Sequence, residues 1–266
     1  MTWLPTSAAW RQRLQAIADQ PPLCPRVPLW WYDVAIGSVD PELVRRCGLP
    51  NAPFLQLRDD GCHLEGELTW VLGRIADCLR ATGLAHVWRD EQLPVRDAQG
   101  ATLGSVERAV VRSLGIATEA VHLVGLDSQG RHWMQLRALD KASDPGLWDT
   151  LVGGMVPAGE SLATALERET WEEAGLELPQ LAQLRHGGQV ESRGPSQSVP
   201  HGYVVERIHW FACILPDDLA PRNLDGEVAE FRCMEAGEVV HRLERDEFTL
   251  EAALILMAAF GPRGPG

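Results

Sequence analysis

The sequence predicts an α+β fold from three observations. Helix-period apolar stripes alternate with period-two segments, a Gly153-Gly154 loop leads into one acidic helix, and the dominant period changes near Ile116. With 266 residues, 45% of them hydrophobic, the chain can fill two modest cores. The change of period divides it into a smaller α+β N-terminal domain over 1–116 and a second domain over 117–266.

In the first domain, Trp10, Leu14 and Ile17 recur at helical spacing after a Thr6/Ser7 cap, and the prolines from Pro21 to Pro28 end that helix. A short helix is expected from Asp40, with Pro41 in its first turn and Gly48 at its end. Leu68, Val71, Leu72, Ile75, Cys78 and Leu79 form one stripe between Gly66 and Gly83, the mark of a core helix. Extended chain is expected over Val87 to Val95, then the Asp97 to Gly100 turn and a helix from about Ser105 to Leu114.

In the second domain, Ala120 to Gly125 and His132 to Leu136 read as paired strands around the Asp127 to Gly130 turn. Leu151 and Val152 lead into the glycines, and a helix follows from about Ser161 to Ala174. Further strands are expected at Gly188 to Glu191, Tyr203 to Leu215 and Val228 to Cys233, with a closing helix over Phe248 to Phe260. His122 and His132 lie in alternating strand patterns and read as packed or strand-surface residues, not as ligands.

A net charge of −13 argues against nucleic acid or an acidic membrane as the principal partner, because phosphate would be repelled over most of the surface. Cys24, Cys47, Cys62, Cys78, Cys213 and Cys233 form no C-x-x-C pair, so reduced thiols are expected. No apolar run reaches the roughly 20 residues that span a bilayer, and no signal-peptide pattern opens the chain, so a cytoplasmic protein is expected. Oligomeric state is left open, with a homodimer one option.

Function is concentrated between Gly154 and Leu176. Gly154 is followed by Glu160, then by Arg168-Glu169, Glu172-Glu173, Gly175 and the aliphatic Leu176. Steps of three and four residues on a helix put Glu169, Glu172 and Glu173 on one face, where three carboxylates repel one another. A solvated acidic face is the bland reading of such a run. A hard divalent cation with oxygen ligands removes the repulsion, so Mg²⁺ or Mn²⁺ is the expected cofactor. Such an ion neutralises a diphosphate and lowers the pKa of a bound water. Arg168 is expected to pair with Glu160 and one of the helix carboxylates, fixing their rotamers.

The whole pattern is the signature of the Nudix family, and the chain is identified by it as resembling a Nudix hydrolase. That resemblance implies an α/β/α sandwich with a mixed sheet, catalytic roles for Glu160, Arg168, Glu169, Glu172 and Glu173, and metal ligation by Gly154, Glu169, Glu172 and Glu173. It also implies a further carboxylate from across the cleft, for which Glu227 is the first candidate and Glu230 the second; a solvent-exposed turn residue is the other reading of Glu227. Thr170 stands where the family pattern usually has an aliphatic residue.

Arg137 and Lys141, the single lysine of the chain, precede Pro145-Gly146 and are expected to reach substrate phosphates, although surface cations remain the alternative. Trp88 to Glu91, Glu107 to Ala109, Val121 to Gly125, Lys141 to Pro145 and Asp225 to Val228, taken together, resemble the Nudix proteins related to the N-terminal part of fungal thiamin pyrophosphokinase. This finer resemblance implies a small-molecule diphosphate substrate such as thiamin diphosphate or its oxidised forms, with Trp88 or Trp148 stacking on the substrate ring. A nucleotide sugar or dinucleotide is the alternative substrate. An isomerase of isopentenyl-diphosphate type is a third reading, and it requires a cysteine acid in the cleft.

Overall fold

The computed structural model describes residues 3–262 apart from 86 and 142, so Ala142 of the Lys141 to Pro145 segment lies outside the described residues. Helix α1 (Ala8–Ala18) begins where the Ser7 hydroxyl accepts the Trp10 N–H, and it buries Trp10, Leu14 and Ala18. Its apolar side does not face the N-terminal sheet. Leu4, Trp10 and Leu14 join the core of the second half, with Phe248, Leu256 and Phe260.

The N-terminal sheet consists of β1 (Val27–Trp31), β2 (Val34–Val39), β3 (Leu55–Arg58) and β4 (Gly61–Leu64), in the order β2-β1-β4-β3. Helix α2 (Pro41–Arg46) starts at an Asp40 cap, and Gly48 just beyond it is left-handed with φ 66°, which glycine adopts without strain. Helix α3 (Leu68–Ala81) sinks Leu68, Val71, Leu72, Ile75 and Leu79 into a core shared with Leu29, Val44 and Leu64.

The expected helix over Ser105 to Leu114 does not form. Residues Thr102–Glu107 are strand β6, paired with β5 (Gln92–Arg96), and only Arg108–Val110 makes a single 3₁₀ turn. Val106, Val110, Val111 and Leu114 have helical spacing, but pairing with β5 lets Gly104 press on α3, where an added Cβ would lie 2.9 Å from Thr69 Oγ1. Tertiary packing overrides the local period here.

The second sheet has seven strands. Its path is β11 (Ala182–Pro195), β12 (Tyr203–Ile214), β7 (Thr118–Leu126), β8 (His132–Arg137) and β13 (Val228–Met234), while β10 (Val152–Met155) pairs with β7 and β9 (Trp148–Asp149) with β8. β7 and β12 are parallel and the other pairs antiparallel, giving a mixed sheet. Alternation along β7 divides the faces: Val121 and Leu123 meet helix α4 (Leu162–Ala174), and Ala120 and Val124 meet α6 (Leu250–Phe260). Helix α5 (Ala236–Glu244), unassigned from the sequence, adds Val239 and Leu243 to that second layer. The result is an α/β/α sandwich beside a separate N-terminal sheet. Among the described residues no helix is long and apolar enough to cross a membrane.

The six cysteines are free thiols. Of the two placements left open for His122 and His132, packed or on the strand surface, both are packed: each is buried. Neither ring nitrogen of His132 has a partner among the described residues, and its ring meets Phe260 edge-on. Burial pushes its pKa down to about 4 from 6.5. The unfolded chain therefore takes up a proton near pH 6.5 that the folded chain refuses until about pH 4, and stability falls as pH drops through that interval. At pH 5 the loss is about 2 kcal/mol. His132→Leu should reduce the difference in urea midpoint between pH 7.5 and pH 5; an unchanged difference would refute this assignment.

Candidate active site

Strand β10 and helix α4 place the acidic residues. Ser161 caps α4 through the Thr164 N–H, and Gly175 ends it in a left-handed turn with φ 62°. β10 is pinned to β7, with Gly153 opposite His122 and Gly154 opposite Val121. Neither glycine has positive φ; both are required by close approach instead. A Cβ on Gly154 would overlap the Glu169 carboxyl group, and one on Gly153 would overlap the His122 ring. Thr170 is fully buried, and its hydroxyl donates to Leu166 O at 2.6 Å, so the unusual polar residue is satisfied inside the helix.

Arg168 is the hub of the cluster. Its Nε donates to Glu160 (3.2 Å), Nη1 to Glu169 (2.7 Å) and Glu172 (3.1 Å), and Nη2 to Met155 O (3.3 Å). The expected pairing with Glu160 thus extends to two helix carboxylates and to the backbone beside Gly154. Burial works to lower the Arg168 pKa, but the bonded carboxylates more than reverse it and keep the guanidinium charged.

Glu173 points the other way, toward the sheet, and is 1% exposed. Its Oε2 accepts from Gly153 N–H and Gln135 Nε2, both at 3.0 Å, and its Oε1 lies 3.5 Å from Lys141 Nζ. Lys141 also bonds Glu227, joining the 138–146 loop to the segment before β13. Burial pushes Glu169 and Glu173 up to about 7, against the pull of Arg168 and Lys141 respectively. Burial also opposes ionisation of Glu227, but the Lys141 hydrogen bond overcomes it and holds that carboxyl below its ordinary range.

The expectation that Glu169, Glu172 and Glu173 converge within a few ångström is corrected. Adjacent helix positions differ by about 100°, so Glu172 turns to solvent with its side chain 46% exposed while Glu173 is buried. Among the described residues, the one group of three His, Cys, Asp or Glu with an atom each within 4.8 Å is Cys24, Asp40 and His201, at the junction of the two halves.

The donor set nevertheless fits a hard divalent cation. Five carboxylates (Glu160, Glu169, Glu172, Glu173, Glu227) face two bonded cations (Arg168, Lys141), a formal surplus of three negative charges. Gln135 Oε1, beside Glu173, is buried with no partner among the described residues. Gln135 was not singled out from the sequence; it shares its side of β8 with Trp133, which packs on the α4-side core. Glu230, the second candidate for a cross-cleft carboxylate, bonds Arg232 instead (2.8 Å).

Three expected substrate contacts are corrected as well. Trp148 is 5% exposed in the α6-side core, with the guanidiniums of Arg232 and Arg242 both against its ring, and cannot stack on a ligand. Trp88 packs on the N-terminal core with Arg80 over its ring, and its Nε1 donates to Asp90. All three guanidinium nitrogens of Arg137 are engaged, with Asp149 and Ser143, so Arg137 holds the loop that carries Lys141. Gly154→Ala should weaken Mn²⁺ binding about 10- to 100-fold, because it displaces Glu169, while leaving the far-UV circular dichroism unchanged. Unaltered Mn²⁺ affinity would refute that role of the glycine.

A family model described as the NUDIX domain matches residues 117–254, just over half of the chain. Nudix hydrolase 20, chloroplastic, of Arabidopsis thaliana is 31% identical over 201 residues, covering 73% of this chain and 50% of its own. The chain spans about half the length of the plant relatives it matches. Isopentenyl-diphosphate Delta-isomerase of Streptomyces griseus subsp. griseus is 30% identical over 168 residues, 63% of this chain and 82% of its own. The crystal structure of DR0079 from Deinococcus radiodurans superposes with a TM-score of 0.51 at 19% identity, over 64% of this chain and 99% of that one, and shares the fold. The family model, set on the glycine loop and acidic helix described above, shows that the chain belongs to the Nudix family.

Proposed function

We propose that this protein hydrolyses the diphosphate linkage of a small organic diphosphate, with Mg²⁺ or Mn²⁺ held by Gly154, Glu169, Glu172, Glu173 and Glu227. The observation that carries the reading is the charge surplus around a glycine on which a glutamate is seated: five carboxylates, two cations and no room for a Cβ. When bound, the ion neutralises the diphosphate and makes a water a competent nucleophile at neutral pH. Arg168 fixes the rotamers of Glu160, Glu169 and Glu172. Gly153 N–H and Gln135 hold Glu173, and Lys141 can exchange a carboxylate for a phosphate oxygen.

Thiamin diphosphate or its oxidised forms is the finer reading, and it rests on the segments that resemble the thiamin pyrophosphokinase relatives. Four of those five segments bond one another in pairs. Arg108 meets Glu91 at 2.7 Å, Glu107 accepts the Arg89 N–H, and Lys141 meets Glu227. A nucleotide sugar or dinucleotide is the second substrate reading. The isomerase reading finds little support: Cys213 lies in the core against α4, and Cys233 faces Asp127 beyond the far end of β8.

A panel of organic diphosphates assayed with Mg²⁺ and Mn²⁺ tests the reading. Orthophosphate plus a monophosphate is expected from a terminal diphosphate, and a mononucleotide from the second class of substrate. Glu172→Gln should lower turnover by about 10²-fold or more. Full activity in that variant, or activity indifferent to chelation, would overturn the mechanism.

A further inference from the structure

Cys24, Asp40 and His201 meet at the junction of the two halves, and none of them belongs to the acidic box. Each comes from a different stretch of chain: Cys24 lies just before β1, Asp40 caps α2, and His201 sits in the turn between β11 and β12. Local bonds fix two of the three. Asp40 is buried, with Oδ1 accepting the Glu42 N–H at 2.8 Å and Oδ2 lying 2.8 Å from His201 Nδ1. His201 is held in the left-handed region at φ 59°, inside a turn closed by Gly202 N–H on Val199 O at 2.9 Å. Two arginines of the N-terminal half grip that turn, Arg112 through Ser198 Oγ (2.6 Å) and Arg26 through His201 O. The imidazole thereby meets a carboxylate 161 residues away in sequence. Cys24 is a free thiol that makes no hydrogen bond among the described residues.

One sulfur, one imidazole nitrogen and one carboxylate oxygen lie within 4.8 Å of one another. A tetrahedral ion with bonds of about 2.0–2.3 Å needs its ligands about 3.5 Å apart. His201 is exposed and Cys24 half-buried, so small rotations of those two side chains close the difference. A cavity of about 180 Å³ runs along Asp40 and His201, bordered by Glu42, Ser198 and Pro200, with room for a water as fourth ligand. The charges around the cluster are mixed, Arg26 and Arg46 against Asp40 and Glu42. Arg26 directs its nitrogens to Ser38 Oγ (3.0 Å), Ser113 O (2.9 Å) and the carbonyls of Ser38 and His201, so it braces the backbone around the cluster. A hard cation such as Mg²⁺ meets one ligating carboxylate here and no surplus of negative charge. A thiolate with a carboxylate, by contrast, neutralises a borderline divalent ion of the zinc class.

We propose that Cys24, Asp40 and His201 form a Zn²⁺ site that clasps the β11–β12 turn to the N-terminal domain. The imidazole binds through Nδ1 as a neutral ring with its proton moved to Nε2, and the Cys24 thiol releases its proton to water. Three protein ligands and one water complete a four-coordinate ion. The clasp closes a loop of 161 residues, the kind of long closure that a metal cross-link stabilises most. Its sulfur and nitrogen donors set it apart from the box, whose side-chain ligands are all carboxylates, so Zn²⁺ sorts to the clasp and Mg²⁺ or Mn²⁺ to the box. The inference does not depend on the hydrolase reading above.

The full chain, stripped with a chelator and returned to excess Mg²⁺ so that oxygen-only sites are filled, is titrated with Zn²⁺ and, separately, with Co²⁺. One tightly bound Zn²⁺ per chain is expected, with a higher melting temperature, and Glu172→Gln should leave both unchanged. Cys24→Ser and His201→Asn should each weaken Zn²⁺ binding about 100-fold or more and remove the thermal shift. Asparagine tolerates the left-handed turn, so the second variant removes a ligand without straining the backbone. Co²⁺ reports on the sulfur directly: the wild-type protein should show a thiolate-to-cobalt charge-transfer band in the near ultraviolet, and Cys24→Ser should lack it. Failure to retain Zn²⁺ in excess Mg²⁺ would overturn the proposal. So would Zn²⁺ binding that survives both variants, binding that is lost with Glu172→Gln, or a thiolate band that persists in Cys24→Ser.

Discussion

The contact between the Glu169 carboxyl group and the Cα of Gly154 is the constraint on which the rest of the site depends. It requires α4 to lie against β10 at a separation that leaves no space for a methyl group. That separation is set from below, by Ala165, Leu166 and Ala174 packing on Val121, Leu123 and Val152. The second glycine serves the same end from the other side, because Gly153 rests on the His122 ring, which is itself held by Thr150 at 2.8 Å. Helix and strand are thereby fixed on both sides of the acidic residues, and the side chains inherit that rigidity.

The charge arrangement follows from this geometry. One guanidinium reaches three carboxylates and a carbonyl, so Arg168 converts mutual repulsion into a bonded network at the solvent edge. Glu173, on the inner side, is oriented by a backbone N–H and an amide, with the Lys141 ammonium 3.5 Å from its other oxygen. The site is therefore organised before any ligand arrives and still carries excess negative charge. Both properties are needed to bind a hard cation and orient it.

The chemistry was more legible in the sequence than the fold around it. The run from Gly154 to Leu176 is local, and a single loop and helix carry its spacing into space almost unchanged. Arg168 with Glu160 and Gly175 as a left-handed stop were readable for that reason. What one helix could not reveal was which carboxylate faces the sheet, because that depends on β8 and β10 lying beneath α4. The same limit explains Trp148. The finer resemblance and its flat ring suggested a ligand platform, but β9 pairs with β8 and turns the ring into the core. Residues 105–107 failed for a related reason, since their helical spacing yielded to a hairpin partner ten or more residues away.

The packing of α1 on the last helix gives the folding process a particular order. Leu4 N–H bonds Phe260 O at 3.0 Å, Trp10 Nε1 reaches Asp246, and Arg13 meets the same carboxylate. These partners are more than two hundred residues apart, so closing them is among the most entropically demanding steps the chain takes. Until α6 is in place, the face of α1 that carries Trp10 and Leu14 lacks the cover that Phe260 and Leu256 supply in the folded chain.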